Sequence, residues 1–593
     1  MKHLCFSMFV FLTLELFSPL LANDTLYIYM CDSSVVGFPV EAISSVNSNT
    51  DTHSVIVGDK TYSCSISDID SASFRAPVKP QFATFYFNDK YNQQLPSNVD
   101  LLFNETNNRW EGSVNSIGHY LVPSFQLKEG VNVFLDGEKV KSKISVLNFK
   151  DKVDFQLVDS SVLLLTNVGG KYEFLPQQKI VSVSVHFPSD TANVNQVYVW
   201  TQDGKAIESK TEYLNARMEI QDNGVFLGFD DSTQIKGRGN TTWGNTSKKP
   251  YRLKLFEKGK PLGQDKGKSW NLINNYRDSS MMSNAMAMKI GHMLRIPYTN
   301  HMLPVDLYIN GEYRGNYTFT QKIGIANNSI DAKEEEGAYL LEFDTYFFDN
   351  PSYDKYNERY KDSSSIFHLP FAVSEPDLDE MPEAQAQHIF ASAKLDLENL
   401  ERTIQMKDSD DILNFTDVEL LARTFFVYDI TFNNEVNWPK SVYFYKTDTL
   451  GALLNMGPIW DFDLSFGQYD QMYDLRPATD WRLLGTPVLP NDVGYTYKGS
   501  GYMFFYYMRQ NRAFQKAYYE VYKEFAQRLP EVFDFAEAYY AYSKNSFVRN
   551  SELWKCGENA EALLQRFKEW MEYRLETVYR HMREYDRSLP ERP

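Results

Sequence analysis

Over the first third of the chain, apolar and polar residues alternate with a period of two in short runs, the pattern of strands with one buried face. Between 25 and 77, runs such as Leu26-Tyr27-Ile28-Tyr29 are separated by Ser, Asn and Asp clusters such as SSVNSNTDTHS, which predicts β-hairpins. From 80 to 158 the pattern continues as FATFYF, NVDLLFN, RWEGSV, LVPSFQL, VNVFLDG and KISVLNF. Short strands at this spacing predict an immunoglobulin-like sandwich. The expected order is a small β module over 23–78, a sandwich over 79–178 and a third domain over 179–593. In that third domain strands persist to about 317, but longer periodic stretches interrupt them. Residues 279–295, SSMMSNAMAMKIGHMLR, predict a helix with a Met-rich apolar face, and 383–405 a second helix. From 503 to 585 apolar and charged residues mix at helical spacing, predicting a helical tail over 503–593. The fold class expected is multidomain, with all-β modules first and an α+β domain ending in helices.

The N-terminus adds a compartment. Met1, Lys2 and His3 precede a mostly apolar run that ends at Ala22, followed by polar Asn23 and Asp24, which describes a secretory signal peptide over 1–22. Glu15 and Pro19 inside the run argue against a spanning anchor, which needs roughly 20 apolar residues. No later segment is apolar enough to span a bilayer, so the mature chain is expected to be exported, to a periplasmic, cell-surface or extracellular location. Cys31, Cys64 and Cys556 would remain, too few for a disulfide scaffold, and a Cys31–Cys64 bond and free thiols are both open.

Length and composition narrow the function. A chain of 593 residues, 43% hydrophobic and 23% charged, has material for several cores. Its net charge of −18 speaks against a nucleic-acid partner, which needs a basic face. Aromatic residues reach 15%, which suits β packing and also a glycan-binding surface.

Against that acidic background, QIKGRGNTTWGNTSKKPYRLKL at 234–255 concentrates Lys236, Arg238, Lys248, Lys249, Arg252 and Lys254. If YRLKL is a strand, Tyr251, Leu253 and Leu255 share one face and Arg252 and Lys254 the other. Such a cluster either faces an anion such as phosphate or is a solvated basic face. In NMGPIWDFDLSFG at 455–467, an extended backbone would put Asp461 and Asp463 on one side, with Cα atoms on the order of 7 Å apart, and Trp460, Phe462 and Leu464 on the other. That pair suits a hard divalent cation better than glycoside hydrolysis, whose two carboxylates flank the substrate from opposed elements. A third segment, FFVYDITFNNEVNWPKSVYFYK at 425–446, carries Asp429, Asn433, Asn434, Glu435 and Lys440 ahead of a strand, and a hairpin would bring it to the two aspartates.

Taken in order, KGRGNTTW with KKPYRLKL, WNLINNYRDSS, VDLYINGEYRGNYTFTQKI, GAYLLEFD, and KSVYFYK with GPIWDFDLSFG resemble the CotH kinase family, named for spore coat protein H. The resemblance covers 181–467 and extends toward the helical tail. It implies an atypical protein-kinase-like fold and transfer of phosphate from ATP, with Mg²⁺ or Mn²⁺, to secreted or envelope proteins. It also implies site roles. Asp461 and Asp463 would hold the metal, with Asn434 assisting. Lys236, Arg238, Lys249 and Lys254 would meet ATP, with Lys254 steered by Glu342. Glu435 would activate the acceptor hydroxyl and Lys440 would hold the γ-phosphate. Many members carry Asp where this chain has Glu435, and the segment lacks the H-R-D and Gly-rich signatures of ordinary kinases. A pseudokinase acting as a surface, spore-coat or adhesion protein, with or without glycan binding, is the alternative expectation.

Overall fold

The computed structural model describes residues 25–349, 358–437, 439–448, 451–467, 500–557 and 560–589; the expected signal peptide lies outside them. The chain divides into two compact units. One holds the chain up to Asn92 with Ser97–Val114 and Tyr120–His186, and the other holds Gln93–Pro96, Asn115–His119 and Phe187–Pro593.

The first unit is built of strands joined by short turns. Its longest feature is the hairpin Val153–Val168 with Lys171–His186, closed by Gly169 and Gly170 at φ +59° and +87°. Two successive positive φ values match the twist of the paired strands, and glycine adopts them without a Cβ clash. Thr25–Met30, Val35–Pro39 and Arg109–Ser113 belong to the same sheet. Strands from both sides of the expected 78/79 boundary therefore share one sheet, and Ile28, Phe38 and Val55 pack in one core with Leu165. The expected boundary at 178 falls inside the strand Lys171–His186, whose Val181, Val183 and Val185 are buried at every second position. Cys31, Cys64 and Cys556 are free thiols.

The second unit begins with a closed barrel of seven strands: Asn195–Thr201, Leu214–Ile220, Phe229–Gly237, Tyr251–Gly259, Gly267–Ile273, Glu312–Gln321 and Leu303–Ile309 in spatial order. The 251–259 strand alternates as the sequence predicts, with Tyr251, Leu253 and Leu255 buried, Arg252 half-buried and Lys254 exposed. The Met-rich helix runs only over Ser283–Met293. Residues 279–282 form a turn instead, because Asp278 accepts the N–H groups of Ser280 (2.9 Å) and Ser283 (2.8 Å) and Met281 takes φ +59°.

A second sheet orders Lys361–Ser363, Pro370–Glu375, Tyr339–Phe343, Val442–Lys446 and Asn455–Met456. Glu383–Ile404 forms the other expected helix, and Val418–Ile430 follows, capped by Asp417 on the Leu420 N–H at 3.0 Å. The tail comprises Ser500–Met508, Arg512–Trp554 and Ala560–Tyr585. One apolar core runs from the barrel interior into these helices, with Phe425 and Phe426 against Tyr518. Among the described residues no helix is long and apolar enough to cross a membrane.

Candidate active site

The edge strand Asn455–Met456 pairs with Val442–Lys446 and then ends. Gly457 takes φ +130° and Pro458 has no N–H with which to extend the ladder. Asp461 and Asp463 therefore lie in the loop 457–467 rather than on the expected strand, and Asp461 adopts the left-handed conformation at φ +66°. Their side chains are nonetheless hydrogen-bonded to each other. Burial, then the Asp461 charge and this bond, with Asp278 and Glu435 behind them, push the Asp463 carboxyl far above the usual carboxylate range. Two carboxyls pressed together in a poorly solvated site cannot both ionise cheaply, which is why Asp463 holds its proton.

Glu435 belongs to the same cluster. Burial and the Asp461 charge push its carboxyl up to about 8, opposed by Lys440 and Arg277 and reinforced by Asp344. Burial disfavours the Lys440 ammonium, yet Glu435, Tyr346 and Asp344 hold it above its ordinary value, and it lies 4.3 Å from the Tyr346 ring. Arg238 completes the wall. Its guanidinium sits 5.8 Å from the Trp460 ring; burial and the neighbouring Arg252 bring it down to about 10, against the pull of Asp461 and Asp463.

The loop's backbone is tied to its surroundings. Asn433, 3% exposed, donates its amide N–H to the Asp461 carbonyl (2.9 Å) and accepts the Glu435 N–H (2.9 Å). Asn284 accepts the Phe462 N–H at 2.8 Å, and the buried Phe462 ring lies 5.0 Å from that of Tyr428. One turn of helix before Asn433, fully buried Asp429 bonds the equally buried Arg574 (2.7 Å) and the Tyr518 hydroxyl (2.6 Å). Burial opposes its ionisation, but Arg509 and Arg574 keep the carboxyl below its ordinary value.

The basic segment does not act as one patch. Lys236 pairs across the sheet with Arg252, and Gln234 with Lys254. Burial, Arg252, Lys254 and Lys322 together depress the Lys236 ammonium, as expected of crowded like charges. Lys236 and Lys254 lie 4.4 Å and 5.9 Å from the Tyr213 ring. Lys249, by contrast, donates to the Trp243 carbonyl at 2.6 Å, and fully buried Lys248 donates to Asn316 and Asn550. Lys248 is structural, and burial lowers it to about 8.

Of the residues singled out in the sequence, Arg238, Glu435, Lys440, Asp461 and Asp463 meet in one site, while Arg252 lies close to both Arg238 and Lys236, and Lys254 close to Lys236. Lys249 is held by Trp243 instead. Asn434 is exposed and accepts from the Asn437 side chain at 3.1 Å; its neighbour Asn433 makes the contact with the aspartate loop. Glu342 is buried under Tyr443, whose hydroxyl donates to it at 3.3 Å, while Lys254 is exposed beside Tyr213. Sequence reasoning missed Arg277, Asp278, Asn284 and Asp344, and it named Asn433 without giving it a role. Arg277 and Asp278 stand in WNLINNYRDSS and Asp344 in GAYLLEFD, so a charged pair just past a strand end was the available signal.

Among the described residues, no group of three or more His, Cys, Asp or Glu side chains is arranged to hold a metal ion. A Mg²⁺ ion asks less, taking one or two carboxylates together with water and substrate phosphates, and the adjacent Asp461 and Asp463 side chains fit that demand. The family model for CotH kinase protein matches residues 235–578, over half of the 593-residue chain. Comparison with curated proteins found no match. The chain belongs to the CotH kinase family.

Proposed function

Starting from that membership, we propose that this protein is an exported protein kinase that transfers the γ-phosphoryl group of ATP to a hydroxyl of secreted or envelope proteins. The observation that carries the reading is the convergence of Asp461, Asp463 and Glu435 with Arg238 and Lys440. Phosphoryl transfer asks for positioning and charge neutralisation rather than for covalent chemistry from the protein. Mg²⁺ or Mn²⁺, when bound at Asp461 and Asp463, supplies neutralisation of the phosphate oxygens. Arg238, with Lys236, Arg252 and Lys254 on the adjoining strands, attracts the polyphosphate. Lys440 faces the γ-phosphate. Glu435 accepts the proton of the acceptor hydroxyl as its oxygen bonds to phosphorus and the bond to the β-phosphate oxygen breaks, releasing ADP. The atypical kinase-like fold, the signal peptide over 1–22 and an immunoglobulin-like spacer or adhesive role for the β unit belong to the same proposal.

A second reading has its own support. A base held at about 8 is mostly protonated at neutral pH, and glutamate carries one methylene more than the aspartate common in the family. Both favour a pseudokinase serving as a surface or spore-coat protein. Incubating the protein and its Asp461→Asn variant with radiolabelled ATP, Mg²⁺ or Mn²⁺ and co-secreted proteins separates the two. Label transfer by the wild type alone supports the kinase. Magnesium-dependent nucleotide binding without transfer supports the pseudokinase, and calorimetry showing no nucleotide binding with either metal removes the enzyme reading.

A further inference from the structure

One peptide group in the site is held from both edges. The unit joining Asp461 to Phe462 presents its carbonyl to the Asn433 Nδ2–H at 2.9 Å and its N–H to the Asn284 Oδ1 at 2.8 Å. The two asparagines come from distant parts of the chain, one at the start of the Ser283–Met293 helix and one just after the Val418–Ile430 helix. Both are buried, at 8% and 3% exposure. Asn433 is not free to turn. The Asn433 Oδ1 is occupied by the Glu435 N–H, and its own N–H donates to the Tyr428 carbonyl at 2.8 Å.

We infer that Asn284 and Asn433 form a peptide clamp that fixes the direction of the 461–462 peptide, and with it the Asp461 carboxyl. A half-turn of that peptide would set its N–H against the Asn433 donor and its carbonyl against the Asn284 acceptor, opposing like groups where water cannot replace the lost bonds. The clamp matters because Asp461 sits at φ +66°, a conformation that a non-glycine residue keeps only where its surroundings determine it. Phe462, packed on Tyr428, anchors the far side of that peptide. Asn433 has a second task. Its carbonyl oxygen holds the Glu435 backbone, so one side chain sets both the metal-binding carboxyl and the proton acceptor. This consequence for catalysis rests on the kinase reading; the clamp itself does not. Asn284 and Asn433 are positioning residues.

The test pairs a structural readout with a functional one on the full chain. Hydrogen–deuterium exchange resolved to the Phe462 amide by fragment-ion mass spectrometry should quicken by roughly tenfold or more in Asn284→Ala, as expected when one buried bond is lost. It should stay near wild type in Asn284→Asp, which keeps the acceptor and also controls for folding. Asn433→Asp loses the donor to Asp461 but keeps the acceptor for Glu435. It should weaken Mg²⁺–ATP affinity by about tenfold, and so should Asn433→Ala, which loses both bonds. Equal Phe462 exchange in wild type and Asn284→Ala overturns the clamp. A wild type that binds Mg²⁺–ATP, with no loss of affinity in either Asn433 variant, overturns the role of Asn433 in setting the Asp461 carboxyl. A wild type that binds no nucleotide sinks the kinase reading instead, and the exchange result then decides the clamp by itself.

Discussion

Replacing Glu435 by glutamine should stabilise the protein in alkaline solution while abolishing transfer. Glu435 keeps its proton to about 8 in the folded protein, against an ordinary value of 4.5. At about 1.4 kcal/mol per tenfold, ionising it inside the fold costs about 5 kcal/mol that the unfolded chain does not incur; local relaxation reduces this to about 2–4 kcal/mol. The folded state binds more protons at this position than the unfolded one, so the contribution of Glu435 to stability falls as pH climbs from about 4.5 to about 8 and levels off above. The amide of Glu435→Gln nearly matches the shape of the protonated carboxyl and does not titrate. Variant and wild type should therefore unfold at similar urea concentrations near pH 5, and the variant should be more stable by about 2–4 kcal/mol above pH 8. Tryptophan fluorescence in urea across that range measures the difference. In the kinase reading the wild-type transfer rate rises with pH toward about 8, as a base with that ionisation requires. A Glu435→Gln variant that is less stable than wild type at alkaline pH would refute the electrostatic reasoning, since the like charges of Asp461 and Glu435 would then not be in conflict.

Two further substitutions test the frame around the site. Asp429→Ala leaves the fully buried Arg574 without its carboxylate and should destabilise by about 3–5 kcal/mol in urea unfolding, whereas a loss below about 1 kcal/mol would mean the arginine finds another partner. Because Asp429 is held below its ordinary value, its stabilisation is present at neutral pH and is lost as pH falls through the acidic range, so the gap between variant and wild type should narrow in acid. Asp417→Ala removes the cap on the Leu420 N–H and should cost about 1 kcal/mol, with Asp417→Asn restoring most of it.

Much of the scaffold was readable from periodicity. The alternation of Tyr251, Leu253 and Leu255 against Arg252 and Lys254 fixes a barrel strand, and the apolar spacing over 383–405 marks a helix, because in each case burial of one face decides the local structure. The aspartate loop was misread for an instructive reason. Trp460, Phe462 and Leu464 alternate with Asp461 and Asp463 as a strand would, but Gly457 and Pro458 stop the ladder first and Asp461 turns left-handed. Which residues carry charge into the site was legible for Arg238, Glu435 and Asp461, each set in an apolar or glycine-rich stretch. It was not legible for Asp278 or Asp344, which reach the cluster by tertiary folding alone. The same limit explains the choice of Asn434 over Asn433. Adjacent asparagines look alike in a sequence, and the folded site distinguishes the buried one by its bonds to the Glu435 N–H and the Asp461 carbonyl.

The ion pair between Asp429 and Arg574 also sets an order of events during synthesis. Its partners are 145 residues apart in the chain, and the aspartate emerges first. Until the helix Ala560–Tyr585 leaves the ribosome, Asp429 has no Arg574 to offset its burial, and the turn that presents Asn433 and Glu435 lacks that part of its foundation. At about 5–20 residues per second the wait is roughly 7–30 s. The barrel, complete at Gln321, can close well before that. A nascent chain thus carries the barrel's basic wall before its acidic one is complete, and the site matures only once Arg574 has emerged.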